Sequence, residues 1–400
     1  MKLDMLPEEF EKARPVLELL TKAGFEAVFV GGSVRDALLG RPIHDVDIAT
    51  SAYPEEVKRV FHAAHKATID IGVEHGTVLV LWGKAESQHY EVTTYRTESV
   101  YTDYRRPDRV EFVGDLRDDL LRRDFTVNAL ALKEDGQVID QFEGLVDLSQ
   151  KRLRAVGVAH ARFQEDALRV MRGFRFVASL GFHLEAKTFQ AMQENAELLT
   201  KISIERIFVE MDKLLLAKGF QEGLQALSDS GAWRYLPGFS HALTSNFSQD
   251  FHFQSSAQAW AWVKLELSDL DLKDWKVAND LIQKVEKIVS AYALDDYTSW
   301  EVYTLGLEAC LAAEDLKKAQ GKTAQVEKVN VLDACLAIHH KSEIVVSGKD
   351  LMMLGIAAGP EMGQLLKTME REIVLGHLLN EKGSLLEWVK KQALKNIEEL

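Results

Sequence analysis

Cysteine and proline are both scarce in this 400-residue chain. Two cysteines, Cys310 and Cys335, cannot build a disulfide framework or a structural zinc site unaided. Of seven prolines only Pro237 and Pro360 lie beyond residue 107, which leaves the last three quarters free to be helical. No apolar run approaches the roughly 18 residues of a membrane span. The N-terminal stretch MKLDMLPEEF is too acidic and too polar for a signal peptide. These absences point to a soluble, cytoplasmic protein with no membrane partner. Neither a fixed-period repeat nor a low-complexity linker is visible. Hydrophobic residues at 46% and charged residues at 28% disfavour disorder, and the length suggests two to three domains at roughly 150 residues each.

Positive charge is also in short supply. The formal net charge is −14, which argues against a generic nucleic-acid binder. The average hides an asymmetry, however. Residues 96–175 hold 13 of the 20 arginines with only two lysines, Lys133 and Lys151, whereas residues 176–400 hold 3 arginines and 20 lysines. Arginine is preferred where a planar fork must grip a phosphate or a base edge. The arginine-rich stretch is therefore where a phosphorylated ligand is expected.

The N-terminal region reads as mixed α and β around one sheet. A first helix, PEEFEKARPVLELLTKAG, ends at Gly24. The apolar strand 27–30 follows and stops at Gly31-Gly32, and SVRDALLG is a short helix closed by Gly40. HDVDIAT (44–50) is a second strand and PEEVKRVFHAA (54–64) a second helix. Further strands are expected at 76–83, 89–96 and 109–113. After about residue 150 helical periodicity takes over, and the C-terminal region ends in two amphipathic helices around Gly376 or Gly383. The expected fold is an α+β N-terminal head with a mixed or antiparallel sheet, followed by all-α segments.

GGSVRDALLGRPIHDVDIAT (31–50) is the strongest constellation. Asp45 and Asp47 alternate along a strand, so both carboxylates face one way. Such a pair repels unless a divalent cation intervenes, and Mg²⁺ takes one or two carboxylates plus substrate phosphates. Gly31-Gly32 open a strand-to-helix turn whose N–H groups suit a phosphate, and Arg35 follows one turn later. Asp269 and Asp271 form the same spacing with no glycine turn and no arginine nearby, so the spacing alone is not informative. Glu91, on a later strand, is either a third carboxylate of a two-metal site or an ordinary outward-facing residue.

DLLRRDFTVNALAL (119–132) places Arg122, Arg123, Asp124 and Asn128 on a helix, as triphosphate or ribose contacts or as a buried ion pair. EDALRVMRGFRF (165–176) is read as one continuous helix. At about 100° per residue, Asp166, Arg169, Arg172 and Arg175 wind along one half, while Leu168, Val170, Met171, Phe174 and Val177 fill the other. A solvated helix face usually mixes lysine with glutamate. Three arginines without a lysine favour a ligand.

Taken together, these motifs resemble the class II CCA-adding enzymes, bacterial tRNA nucleotidyltransferases of the polymerase-β-like superfamily. GGSVRD with HDVD resembles the family's metal motif, and RRDFTVNAL its ribose and triphosphate motif. EVTTYRTESVYTDYRRPDRVEFV is similar to its strand and flexible loop. EDALRVMRGFRF resembles the amino-acid template that replaces a nucleic-acid template, ISIERIFVEMDKLL the helical motif after it, and SGKDLMMLGIAAGPEMGQLL the tail segment. VIDQFEGLVDL (138–148) departs from the Pro-Phe-Gly-Gly that relatives usually carry there, without loss of a chemical residue.

The resemblance implies a catalytic head over 1–150, a neck with the template helix over 151–215, a body over 216–310 and a tRNA-binding tail over 311–400. It implies that Asp45 and Asp47 hold Mg²⁺, with Glu91 as a further catalytic carboxylate. Gly32, Arg35, Arg123, Asp166, Arg169, Arg172 and Arg175 would contact CTP or ATP. The partner would be tRNA, met at its 3′ end and along its acceptor/TΨC arm. Oligomeric state is left open, a homodimer included. A poly(A) polymerase shares the head but usually has a basic tail, whereas this chain ends NIEEL. CC-only relatives lack the flexible loop, which is present here as TESVYTDYRRP, and A-only relatives are a further rival. A tRNA-binding protein with a dead site is disfavoured by the intact Asp45, Asp47 and Arg35.

Asp45→Ala or Asp47→Ala should abolish nucleotide incorporation while leaving folding and tRNA affinity nearly unchanged. Near-normal Mg²⁺-dependent incorporation by either variant would remove the metal assignment.

Overall fold

The computed structural model describes residues 1–72, 75–83, 88–99, 109–245, 247–248 and 250–398. The chain forms two compact units, one of Met1–Thr244 with Asp274–Lys276, the other of Ser245–Lys273 with Val277–Leu400. Of the expected flexible loop TESVYTDYRRP (97–107), residues 100–107 lie outside the described residues, and 97–99 belong to a strand.

The N-terminal unit begins with α1 (Glu8–Lys22), β1 (Ala27–Val30), α2 (Gly32–Leu38), β2 (Asp47–Thr50) and α3 (Pro54–Ala63). Strands β3 (Thr68–Gly72), β4 (Thr77–Trp82) and β5 (Gln88–Thr94) follow, then a hairpin of β6 (Arg96–Ser99) and β7 (Arg109–Phe112). Next come α4 (Leu116–Leu121), β8 (Leu130–Leu132), β9 (Val138–Asp140), α5 (Gly144–Ser149) and β10 (Arg152–Leu153). The unit continues with α6 (Ala159–Glu165), α7 (Leu168–Leu180), β11 (His183–Leu184), α8 (Ala186–Glu194), α9 (Ile204–Leu215) and α10 (Phe220–Ser230).

Seven strands form one mixed sheet in the order β3-β4-β5-β2-β1-β8-β9. β1 is central and apolar on both faces, as a strand covered on two sides must be. Phe29 points toward α1 and packs on Phe10 with ring centroids 4.6 Å apart. On the opposite face Val28 and Val30 join a core that includes Ala49, Tyr95, Leu116, Leu120 and Ala131. β1 runs antiparallel to β2 and β8, while β2 runs parallel to β5.

The structure corrects four expectations. RVEFV does not extend the main sheet but pairs with β6 in a separate two-stranded ribbon, because the chain turns away at Tyr95, which is fully buried and donates its N–H to Thr50 O. Residues 68–72 form an unforeseen edge strand; TIDIG is short, and the Ile69 and Ile71 side chains are exposed instead of buried in the core. The stretch 119–132 is not one helix. It is the end of α4, a 3₁₀ turn at Thr126–Asn128 and then β8, since pairing with β1 overrides the helical preference of Leu-Ala-Leu. Finally, the helix expected over 165–176 is broken at Asp166, whose backbone is extended at φ −137°, ψ 102°.

The second unit is helical: α11 (Ser256–Glu266), α12 (Asn279–Tyr292), α13 (Ser299–Leu305), α14 (Leu307–Ala319), α15 (Val326–Ala334), α16 (Gly348–Met353), α17 (Pro360–Val374) and α18 (Lys382–Glu398). Glu314 is fully buried at its centre and accepts from Tyr297 Oη, Lys317 Nζ and the Gln325 N–H. Proline opens α17, and the break between the last two helices falls at Gly376, with φ +75°. Gly383 lies inside α18. No described helix is long and apolar enough to cross a membrane.

Candidate active site

A cleft of about 1020 Å³ opens in the N-terminal unit where β1, β2 and β5 meet α7, α9 and the segment 119–128. Its geometry starts at Gly31. The residue has φ +81° and ends β1 at the entry to α2. A Cβ there would stand 3.1 Å from Arg123 Nη1 and 3.5 Å from Asp47 Oδ2. The left-handed backbone requires glycine, and a Cβ would press on the end of the Arg123 side chain. Gly32 begins α2, and the Arg35 guanidinium lies 3.4 Å from where its Cβ would be. Arg35 is buried, forks onto Asp36 through Nε and Nη2 at 3.0 and 2.8 Å, and donates from Nη1 to Asn128 Oδ1 at 2.6 Å.

Among the acids that line the cleft, Asp45, Asp47 and Glu91 lie on its sheet side. Asp47 is the first residue of β2, while Asp45 precedes the strand instead of lying on it. Asp47 pairs with Val30 across β1 and with Glu91 across β5, so Glu91 is a direct neighbour in space. Burial raises the Asp47 carboxyl above its ordinary range; Arg123 opposes this and Asp45 adds to it. Glu91 is raised too, by desolvation first and then by the charges of Asp47 and Asp45. Crowded, mutually repelling carboxylates of this kind fit a divalent cation. Among the described residues no three His, Cys, Asp or Glu side chains converge enough to hold an ion alone. An ion here would complete its shell with substrate oxygens and water, as Mg²⁺ commonly does.

The same cleft is lined by guanidiniums held by acids. Arg172 donates through Nε and Nη2 to Asp124 Oδ2 at 2.8 and 2.6 Å. Asp124 also accepts from Asn128 Nδ2 at 3.0 Å and from the Phe125 N–H at 2.7 Å. Burial favours the neutral acid, but the Arg172 charge and these hydrogen bonds outweigh it and hold Asp124 well below the usual carboxylate range. Arg175 donates to Glu210 and lies 4.0 Å over the Phe176 ring. Arg35 and Arg172 each stand 5.4 Å from the same ring, geometry suited to cation–π attraction. Arg123 is 3.3 Å from Asp119, which also pairs with Arg122.

Asp166 sits in the junction between α6 and α7. Its Oδ1 accepts from the Leu168 N–H at 3.1 Å and its Oδ2 from Arg206 Nη2 at 3.0 Å. Arg169 does not pair with it. Instead Nη1 of Arg169 donates to Arg162 O at 3.0 Å and to Glu165 at 2.9 Å, and Nη2 to Arg122 O at 2.6 Å. All the residues singled out in the sequence line this cleft: Asp45, Asp47, Glu91, Gly32, Arg35, Arg123, Asp166, Arg169, Arg172 and Arg175. The reading missed Arg206, Glu210 and Lys213, which lie on one face of α9 at i, i+4 and i+7, and Phe176. The spacing on α9 was legible; its direction toward the cleft was not.

A family profile described as the poly A polymerase head domain matches residues 27–154. Profiles for an RNA and SrmB-binding site of polymerase A and for tRNA nucleotidyltransferase domain 2 match residues 181–243 and 251–389. The chain is 54% identical over 400 residues to the CCA-adding enzyme of Lactococcus lactis subsp. cremoris, with 98% of each chain covered. It is 51% identical over 405 residues to that of Streptococcus agalactiae, covering 98% of this chain and 99% of the relative. In three dimensions it is similar to the crystal structure of the Bacillus stearothermophilus CCA-adding enzyme in complex with CTP. That match has a TM-score of 0.88 and 37% identity, and covers 99% of this chain and 100% of the other.

Asp124→Asn should cost about 3 kcal/mol at pH 7, because it leaves the buried Arg172 with only the more distant Glu210, at 3.9 Å, as counter-charge. A carboxyl whose folded pKa is depressed contributes fully above its unfolded pKa of about 3.9 and loses that contribution as pH falls through the folded value. Urea denaturation should therefore show the gap between wild type and variant closing from pH 4 toward pH 2. A gap that stays constant across that range would contradict the assignment.

Proposed function

The chain belongs to the CCA-adding enzymes, and on that premise we propose roles for the residues of its cleft. The enzyme adds CCA to the 3′ end of tRNA by transferring CMP, CMP and AMP in turn from CTP and ATP, without a nucleic-acid template. In each turn the tRNA 3′-oxygen attacks the α-phosphorus, the hydroxyl proton is lost, and the bond to pyrophosphate breaks.

Asp45 and Asp47 hold Mg²⁺ in this reading, with Glu91 beside Asp47 as the third carboxylate. When bound, the ion lowers the pKa of the attacking hydroxyl and neutralises the leaving pyrophosphate. Gly32 offers a backbone N–H to the triphosphate, and Arg35 and Arg123 meet its oxygens. Arg172 and Arg175, already fixed by Asp124 and Glu210, reach the nucleotide without paying fresh ordering entropy.

The single observation that carries the selection is that an acceptor, Asp166, and a donor, Arg169, both line the cleft at the α6–α7 junction. Cytosine and adenine each present an amino donor beside a ring-nitrogen acceptor, whereas uracil and guanine present the reverse order. An ionised Asp166 can only accept, and an arginine can only donate. Arg169 uses three of its five N–H groups within the protein, which leaves two for a base. U or G would strand desolvated groups at about 1–3 kcal/mol each.

We assign 1–150 to the catalytic head, 151–215 to the neck, 216–310 to the body and 311–400 to a tail that meets the acceptor and TΨC arm of tRNA. A homodimer is compatible with this division but not required by it. The substrate places the enzyme in the cytoplasm, with tRNA maturation and repair as its work.

Asp166→Ala should relax selection, so that UTP or GTP gains roughly tenfold on CTP and ATP. Incorporation should survive at a lower rate, since the metal ligands are elsewhere. Steady-state kinetics with each of the four nucleotides on tRNA lacking its last three residues read this directly. An unchanged preference for CTP and ATP would remove the base-reading role.

A further inference from the structure

Arg206 projects from α9, whose buried face is Ile207, Met211, Leu214 and Leu215. On the same helix Arg206 and Lys213 line the cleft. Arg206 Nη2 donates to Asp166 Oδ2 at 3.0 Å, and the two side chains are 28% and 18% exposed. Asp166 is the one side-chain acceptor recorded for this guanidinium among the described residues, and Nη1 is buried with no hydrogen-bond partner. An arginine present only to brace α9 against its surroundings would have its donors satisfied by carbonyls and several acids, as Arg154 does with Asp147, Phe142 O and Glu143. This one is aimed at a single carboxylate in the cleft.

We propose that Arg206 is a specificity-positioning residue, which locks the Asp166 carboxylate in the orientation that accepts the amino group of C or A. This rests on the reading of Asp166 as the base-reading acceptor. Asp166 sits in an extended junction between two helices, where its side chain would otherwise rotate freely. One bond to each oxygen removes that freedom: the Leu168 N–H holds Oδ1 and Arg206 holds Oδ2. A carboxylate has about four lone-pair sites, so both bonds can persist while a base amino group is accepted. Arg206 need not touch the nucleotide. It acts through Asp166.

The test compares kcat/KM for CTP, ATP, UTP and GTP on tRNA lacking its last three residues. The variants are Arg206→Gln, Arg206→Lys, Asp166→Ala and the double variant Arg206→Gln/Asp166→Ala, each with its Tm measured. Arg206→Gln should lower discrimination against UTP and GTP about tenfold. Arg206→Lys, which keeps one charged donor, should recover part of it and keeps the test open should Arg206→Gln fold poorly. In the double variant Arg206→Gln should add nothing to the loss from Asp166→Ala. If Tm and the rates with all four nucleotides fall together while discrimination holds, Arg206 is only a brace and the proposal is overturned. If Asp166→Ala itself leaves discrimination intact, the base-reading role fails first and this proposal falls with it. If Asp166→Ala relaxes selection and neither Arg206 variant does, this proposal alone is wrong.

Discussion

The cleft depends on the ion pair between Asp124 and Arg172. Gathering several guanidiniums in one place is costly: two like charges 5 Å apart repel by about 3 kcal/mol at an effective dielectric of 20. Asp124 offsets that repulsion at the centre of a continuous chain of bonds. Arg35 donates to Asn128, Asn128 to Asp124, and Arg172 to Asp124. Glu210 repeats the device for Arg175. Phe176 fills the space between these cations with a ring face that all three approach. The elements bearing these groups, α2, the turn after α4, α7 and α9, are far apart in the chain. The charged network and the aromatic ring tie them into one wall.

This arrangement reconciles a net charge of −14 with a substrate that is a polyanion and a cosubstrate that is a triphosphate. The acids near the cleft do not repel the ligand as free charges would, because each is spent on an arginine: Asp119 on Arg122 and Arg123, Asp124 on Arg172, Glu165 on Arg162 and Arg169, Asp166 on Arg206. Among the described residues lining the cleft, the carboxylates that carry no arginine bond are the crowded Asp45, Asp47 and Glu91, on its sheet side. The cleft thus has a carboxylate floor suited to a divalent cation and a guanidinium wall suited to phosphate and base. Phosphoryl transfer needs those two halves facing one another, since it is driven chiefly by positioning and charge stabilisation.

Much of this was legible in the sequence, for reasons that differ by residue. The run Ala27–Val30 with Gly31-Gly32 announces a buried strand and a tight turn by composition alone, and the structure adds why Gly31 admits no side chain. The arginine row of α7 was visible because periodicity survives even where the helix starts late. Asp166 was misplaced onto that helix because the helical period runs on through EDALRV; an aspartate that caps the next helix, as its Oδ1 does for the Leu168 N–H, has the same place in the sequence as one inside it. The proximity of Glu91 to Asp47 was hidden because strand order is not a local property; β5 reaches β2 only after β3 and β4 have been placed at the edge. Arg206 was overlooked because one arginine in an amphipathic helix looks like solvated surface until the direction of that face is known.

The account stands most directly on what the enzyme adds and when it stops. Incubating tRNA that lacks its last three nucleotides with labelled CTP alone, ATP alone and both together gives that answer in one gel. Two C residues with CTP alone, none or almost none with ATP alone, and a single terminal A only when both are present would match a cleft that reads two bases and then halts. A ladder of A residues with ATP alone would identify a poly(A) polymerase instead, and arrest after CC with both nucleotides present would show that the cleft accepts cytosine only.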